Sequence, residues 1–271
     1  MRRLLTVWLL ALVCAAAGAQ GKGCGIVNTA FKDGETLQYD LKFNWQFIWL
    51  RVGTAEMTTR TMTYQGRKVW RADLLTTGLP KLDRYFVMRD TLLSYCDYET
   101  LAPVYFRKGA LEGKRYYVDE LWFTYPRNNC HLKRHEITWR GESRWSEKEY
   151  KDCIYDMMSI FLRARNFDAS TMAEGDIFPM PISDASDLSN SWLKYLGKKV
   201  FKMDGGERYR CLVFSFLQNE DGKNHELVRF WVTDDLNHIP VRLDLSLKFG
   251  SAKAFLKSYK GVRNEMTSRL E

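Results

Sequence analysis

Residues 37–45 read Leu-Gln-Tyr-Asp-Leu-Lys-Phe-Asn-Trp. Leu37, Tyr39, Leu41, Phe43 and Trp45 alternate with Gln38, Asp40, Lys42 and Asn44. Successive side chains of an extended chain point to opposite faces, so this spacing predicts a strand with one apolar and one wet face. Val241, Leu243, Leu245, Leu247 and Phe249 repeat the pattern, alternating with Arg242, Asp244, Ser246 and Lys248.

Working outward, residues 68–76, 86–95, 103–109, 114–125, 131–139, 144–150, 200–203, 210–217, 226–233 and 252–259 are rich in aromatic and β-branched side chains. Turn formers separate them: Gln65-Gly66, Glu112-Gly113, Arg140-Gly141, Asp204-Gly205-Gly206 and Asp221-Gly222. Short connections between alternating runs mean antiparallel neighbours. The fold expected is mainly β: a strongly curved antiparallel sheet or open β-barrel with one buried α-helix. That helix covers residues 156–165. Met157, Ile160, Phe161 and Ala164 form an i, i+3, i+4, i+7 stripe, Met158 and Leu162 add a second apolar edge, and Asp156 is placed to cap. Arg163 and Arg165 fall in the last turn, where positive charge suits the dipole.

The chain has 271 residues, of which 45% are hydrophobic, 27% charged and 14% aromatic. That is enough apolar material to fill a core, which excludes wholesale disorder, and the chain is too long for a small disulfide-stapled scaffold. Arg2 and Arg3, the apolar run 4–17, and Ala17-Gly18-Ala19 together read as an export signal cut between Ala19 and Gln20. The run is shorter than the ~20 residues of a spanning helix. A lipoprotein signal fits less well, because Cys14 lies inside the run and Lys22 interrupts the apolar context before Cys24. The chain divides into a leader (1–19), an N-terminal segment (20–30), one β-rich domain (31–262) and a C-terminal tail (263–271); residues 168–190 form an irregular internal segment. No later segment is apolar enough to span a membrane. The net charge of +8 is spread singly among acids rather than in runs, which argues against a nucleic-acid partner.

Cys24, Cys96, Cys130, Cys153 and Cys211 follow the leader. An odd number leaves at least one thiol unpaired within the chain. Cys96 and Cys130 stand at strand ends and form the most plausible pair, with buried unpaired thiols the competing arrangement. No Cys-x-x-Cys spacing is present.

Gly34-Glu35-x-Leu37-x-Tyr39, Gly53-Thr54-Ala55, Tyr155-Asp156-Met157-Met158-Ser159, Phe230-Trp231-Val232-Thr233-Asp234-Asp235 and His238-Ile239-Pro240-Val241 occur in that order. This series resembles the bacterial exported family called domain of unknown function number 3108. The resemblance implies a mainly antiparallel β protein of the bacterial envelope, and the periplasm of a Gram-negative cell as its location. It implies no activity.

Four groups of residues could carry chemistry. Cys130, His131, His135 and Glu136 cluster, but a strand spaces His131 and His135 roughly 13 Å apart with Lys133 between them, so no metal site is expected. Asp234, Asp235 and His238 could serve acid–base chemistry, yet they read better as a turn leading into Pro240. Ser159 lacks a Gly-x-Ser-x-Gly elbow, and Glu35 reads as strand entry. Tyr39, Phe43, Trp45, Trp49, Phe214, Phe216 and Phe230 are the candidate binding residues, because a bent sheet can leave part of such an apolar face open. The function expected is a non-catalytic, monomeric envelope protein without a cofactor that binds or carries an apolar or amphiphilic molecule, such as a lipid or lipid-linked glycan. A structural module of an envelope assembly and an envelope-polymer hydrolase are the alternatives.

Overall fold

A computed structural model describes residues 24–45, 48–183, 188–189, 191–220, 222–247 and 250–271. The expected leader and its expected cut site at Ala19 and Gln20 lie outside the described residues, as do Phe249 and the side chain of Trp45.

Eight strands precede the helix: β1 (Glu35–Trp45), β2 (Ile48–Tyr64), β3 (Arg67–Gly78), β4 (Met88–Asp97), β5 (Pro103–Glu112), β6 (Arg115–Thr124), β7 (Cys130–Ile137) and β8 (Ser143–Tyr150). The helix α1 (Met157–Ala164) is followed by β9 (Ile177–Pro179), β10 (Ile182–Ser183), β11 (Leu188–Ser189), β12 (Ser191–Lys202), β13 (Arg208–Glu220), β14 (Lys223–Thr233), β15 (Pro240–Leu247), β16 (Gly250–Lys260) and β17 (Arg269–Leu270). One large antiparallel sheet runs β8-β7-β6-β5-β4-β3-β2-β1-β16-β15-β14-β13-β12-β9. It is thus two meanders fused along the β1–β16 pair, and it is not closed: β8 and β9 are its edges.

The sheet is strongly bent, and a few hydrogen bonds prove it. Ser94 on β4 donates to the Asp156 carboxylate at 3.0 Å. The neighbouring Tyr155 bridges to Ile182. Two residues before that, the Met180 amide donates to the carbonyl of Ser191, the first residue of β12. β4 and β12 lie eight strand steps apart in the sheet. A flat sheet would separate them by roughly 38 Å, whereas this bridge spans on the order of 15 Å. The sheet therefore wraps around α1 and the strap leading into it.

The helix forms where the capping signal places it. Asp156 accepts from the amides of Met158 and Ser159, and the Ser159 hydroxyl accepts from the Asp156 amide, a reciprocal capping box. The buried face differs from the apolar stripe. Met158, Ser159 and Leu162 are buried, while Met157 is exposed and Ile160, Phe161 and Ala164 are half-buried. The second apolar edge thus faces the main core, and Arg165 explains why. Its guanidinium forms a bidentate ion pair with Glu35 at the start of β1 (2.5 and 2.9 Å), and both side chains are at most 2% exposed. It also donates to the Asn237 carbonyl in the β14–β15 turn. A buried charge demands such partners, so the pair orients the helix instead of a surface dipole effect. Arg163 donates to the Cys24 carbonyl at 2.9 Å.

Cys24 and Cys153 form a disulfide tying the N-terminal segment to the strap before α1. The Cys96–Cys130 pairing is not made. Cys96 on β4 and Cys130 at the start of β7 both face the core three strand steps apart, roughly 14 Å, and a disulfide needs Cα atoms within about 7 Å. These two and Cys211 are buried free thiols; burial pushes the Cys130 thiol up to about 11 and that of Cys211 up to about 12.

Two stretches differ from the pattern read in the sequence. β2 is the longest strand, though its core-facing positions Ala55, Met57 and Thr59 carry little hydrophobic contrast. Within the irregular internal segment, Ala169, Met172, Phe178 and Met180 pack, with Phe167 and Ile160, over Leu193, Tyr195, Leu212 and Phe214 to form a second core. The flanking segments are also tied in. Arg263 donates to the Asn28 carbonyl, and β17 pairs with β13.

Candidate functional site

The strand register assembles the candidate site. Directly paired residues share a face. Starting at β1 and moving across the C-terminal meander, one row reads Phe43, Ala252, Leu245, Val228, Phe216, Leu193. The adjacent row reads Leu41, Ala254, Leu243, Phe230, Phe214, Tyr195. Every member of both rows is apolar or aromatic. The ends on β12 and β13 are sealed: Leu193, Tyr195 and Phe214 lie beneath the cover formed by residues 167–180. From Phe216 and Val228 to Phe43 the strip is only half-buried, as are Phe230, Leu243, Leu245, Leu41 and Ala252.

The same face continues differently across the N-terminal meander. From Tyr39 the row runs Ala55, Thr76, Asp90, Ala110, Tyr117. From Leu37 it runs Met57, Leu74, Leu92, Lys108, Asp119, Glu136. Both rows begin apolar and end polar, the first at Tyr117 and the second at the charged Asp119 and Glu136. Tyr117 donates to Glu112 at 2.6 Å, and Arg134 pairs with Asp119 at 2.9 Å. Partial burial, reinforced by the Glu112 charge, pushes the Asp90 carboxyl up to about 6. One Asp90 oxygen is buried with no hydrogen-bond partner among the described residues. The interior thus offers an apolar strip and a polar wall, the two surfaces an amphiphile needs.

The residues picked out in the sequence divide among three places. Phe43, Phe216 and Phe230 line the half-open strip. Tyr39 and Phe214 are core packing residues, 5% exposed each. The buried Tyr39 hydroxyl has no hydrogen-bond partner among the described residues, and desolvation, partly offset by Arg165, raises its pKa well above the ordinary range. Trp49 pairs with Asn44 on the opposite face, its ring covered by the Lys253 ammonium at 4.0 Å. The strip's remaining members, Leu41, Leu243, Leu245, Val228 and Ala252, were missed individually. The alternation of 241–249 carried their signal, but only the register shows that they adjoin Phe43.

The other sequence candidates have structural employment. Glu35 is held by Arg165. Asp235 accepts from Thr233, Asn237 and Ser268 and fastens the β14–β15 turn, while Asp234 pairs with Lys198 at 3.1 Å. His238 donates its Nδ1–H to the Arg165 carbonyl (2.7 Å), and burial lowers its pKa. Cys130 faces the core, His131 pairs with Glu147 on the outer face, and Glu136 sits beside Arg134 on the inner one, so that cluster is split between faces.

The outer face holds an aromatic ladder. Tyr64, Tyr95, Tyr105, Trp122 and Trp145 follow one another at centroid distances of 4.6 to 5.7 Å, and His135 stacks on Trp145 at 4.1 Å. Tyr105 and His135 both bond Glu120. Burial raises the Glu120 carboxyl, but these bonds outweigh it and hold it below the ordinary range. Beside the ladder is an open cleft of about 490 Å³ lined by Trp122, Thr124, His131, Lys133 and Trp145. A second cleft of about 260 Å³ lies by Asp40, Lys42, Asp204 and Tyr259, crossed by the Lys42–Asp204 ion pair.

A single bent antiparallel sheet wrapped on one helix, open along one seam, defines a barrel-like all-β protein. The chain belongs to the family described as protein of unknown function DUF3108, whose model matches residues 38–257. It is similar in fold to a β-barrel-like protein of the domain of unknown function DUF1849 from Brucella abortus, with a TM-score of 0.54 and 9% identity over 85% of this chain and 99% of that one. No curated protein matches it. No helix among the described residues is long and apolar enough to cross a membrane.

Proposed function

We propose that this protein is an exported, non-catalytic envelope protein that holds an amphiphile inside its bent sheet. The apolar tail lies on the strip from Phe43 to Phe216, and the head group faces the wall of Asp90, Lys108, Tyr117 and Arg134. The observation that carries this reading is the pair of uninterrupted apolar rows left half-open between the helix and the sheet rim. Such rows are ordinary under a cover, but the half-open part from Phe43 to Phe216 favours burial of a ligand's hydrocarbon at about 25 cal/mol per Å². Export is supported by the leader-like residues 1–19 and by the Cys24–Cys153 disulfide, which suits an oxidising compartment. The disulfide also uses the thiol that lipidation of Cys24 would need.

The test is to purify the full chain from an exporting host, extract it with organic solvent and analyse the extract by mass spectrometry. A stoichiometric lipid or lipid-linked glycan is expected from the wild type, and a much reduced yield from folded Phe230→Asp. An extract free of amphiphile from both proteins contradicts the proposal.

A further inference from the structure

The antiparallel meander puts alternate turns at one end of the sheet. The β1–β2, β3–β4, β5–β6, β7–β8 and β15–β16 connections share the end toward which the strip opens. More than half of the exposed large apolar side chains gather there: Ile48, Trp49, Leu50, Tyr85, Phe86, Tyr116, Trp139 and Leu247. Contacts make this rim continuous. The Leu79 amide donates to Val52 and that of Gly113 to Val87, and a Cβ at Gly113 would meet the Phe86 ring at 3.5 Å. The Arg115 guanidinium lies 5.0 Å from the Trp139 ring, on the next turn. On the other side Leu247 pairs with Gly250, whose Cβ position is 3.2 Å from the Phe43 ring at the mouth of the strip.

The rim is also cationic. Lys81, Arg84, Lys114, Arg115 and Arg140 are exposed on these connections. Arg84 lies over Tyr85, and Arg140 over Trp139. Of the acids on these connections, Asp83 pairs with Arg89 and Glu142 with Arg144, each through a short ion pair, while Glu112 accepts from the Tyr117 hydroxyl. Exposed aromatic side chains interleaved with Lys and Arg match the interfacial layer of a bilayer, where amphipathic rings sit at head-group level and basic side chains meet anionic lipid.

We infer that this rim docks the protein onto an anionic phospholipid surface, with the mouth of the strip facing the bilayer. The inference rests on the carrier reading for its purpose but not for its evidence, which is the rim itself.

The experiment is co-sedimentation of the full chain with vesicles of phosphatidylcholine alone and with about 30% phosphatidylglycerol, an anionic lipid that makes the surface potential negative. Three proteins are compared: wild type, the rim variant Arg84→Glu/Arg115→Glu/Arg140→Glu, and a control variant Arg67→Glu/Lys68→Glu/Lys151→Glu that reverses three charges at the opposite end. Circular dichroism first establishes that each is folded. Wild type and control are expected to pellet with the anionic vesicles only, the rim variant to bind roughly a hundredfold more weakly, and wild-type binding to fall with added salt. Wild type left in the supernatant, or a rim variant that pellets like the control, overturns docking. If wild type stays in the supernatant yet carries a co-purified amphiphile, docking alone falls. If it pellets but carries none, docking stands and the carrier reading falls.

Discussion

The two meanders share one concave face yet use it differently. Across the C-terminal one, paired positions stay apolar for six strands, from Phe43 to Leu193 and from Leu41 to Tyr195. Across the N-terminal one, rows that begin at Tyr39 and Leu37 end at Tyr117 and Glu136. The difference is not one of strand geometry, because both halves are antiparallel and both carry register shifts. It reflects what each half faces. Both halves share the main core with α1: Leu92, Phe106 and Leu121 of the N-terminal meander and Val241, Ala254 and Leu256 of the C-terminal one cluster with Met158 and Leu162. Nearer the rim the helix is absent, and each half keeps a distinct chemistry that the core does not require.

The largest test of this comparison breaks the element that holds the halves at their spacing. Asp156 ties α1 to β4, and Arg165 ties it to β1 and to the β14–β15 turn. Arg165→Ala leaves the Glu35 carboxylate buried and unpaired, and is expected to cost about 3–5 kcal/mol in denaturant unfolding. Adding Glu35→Gln to Arg165→Met should recover much of that loss. Next in size, Cys24→Ser/Cys153→Ser removes the staple between the N-terminal segment and the strap, with an expected cost of about 2–4 kcal/mol. Wild type under reducing conditions should match it.

Smaller effects separate the two halves. Phe230 is half-buried on the apolar strip, so Phe230→Ala is expected to cost about 1–2 kcal/mol while removing most binding of an apolar fluorescent probe. Asp90, on the polar wall, should behave in the opposite sense. Its folded-state pKa of about 6 exceeds the unfolded value, so the native state binds protons more readily, and stability from this group falls as pH rises from about 4 to 6. Asp90→Asn is therefore expected to stabilise the protein at pH 7.5 by about 1 kcal/mol, a figure discounted for the partial exposure of the site, and to lose that advantage by pH 4. Thermal unfolding of both proteins across that range measures it.

How far the sequence disclosed this structure depended on local contrast. In β1 and β15, each inward apolar residue is followed by a polar or charged one (Gln38, Asp40, Lys42 and Asn44; Arg242, Asp244 and Ser246), and the strands are legible. The capping box of α1 is equally local. β2 escapes because Gly53, Ala55 and Thr59 face inward beside Thr54 and Thr58, so the two faces hardly differ in polarity. In β12 the ladder shifts register between Tyr195 and Lys198, and Gly197 takes a φ of 83°, which interrupts the period of two. The Arg165–Glu35 pair joins residues 130 positions apart, and the Cys24–Cys153 bridge joins residues 129 apart. Neither leaves a local trace. The strip was half legible: Phe43, Phe216 and Phe230 stood out as aromatics, but their adjacency is a property of register alone.

The central claim is that the uncovered part of the C-terminal rows is a working apolar surface rather than loosely covered core. Titration of the delipidated full chain with the probe N-phenyl-1-naphthylamine tests it most directly, comparing wild type with Leu243→Glu on the strip and Leu75→Glu on the outer face. Saturable fluorescence enhancement is expected for wild type and Leu75→Glu and is expected to be lost in folded Leu243→Glu. Equal enhancement in all three, or none in wild type, would contradict the account.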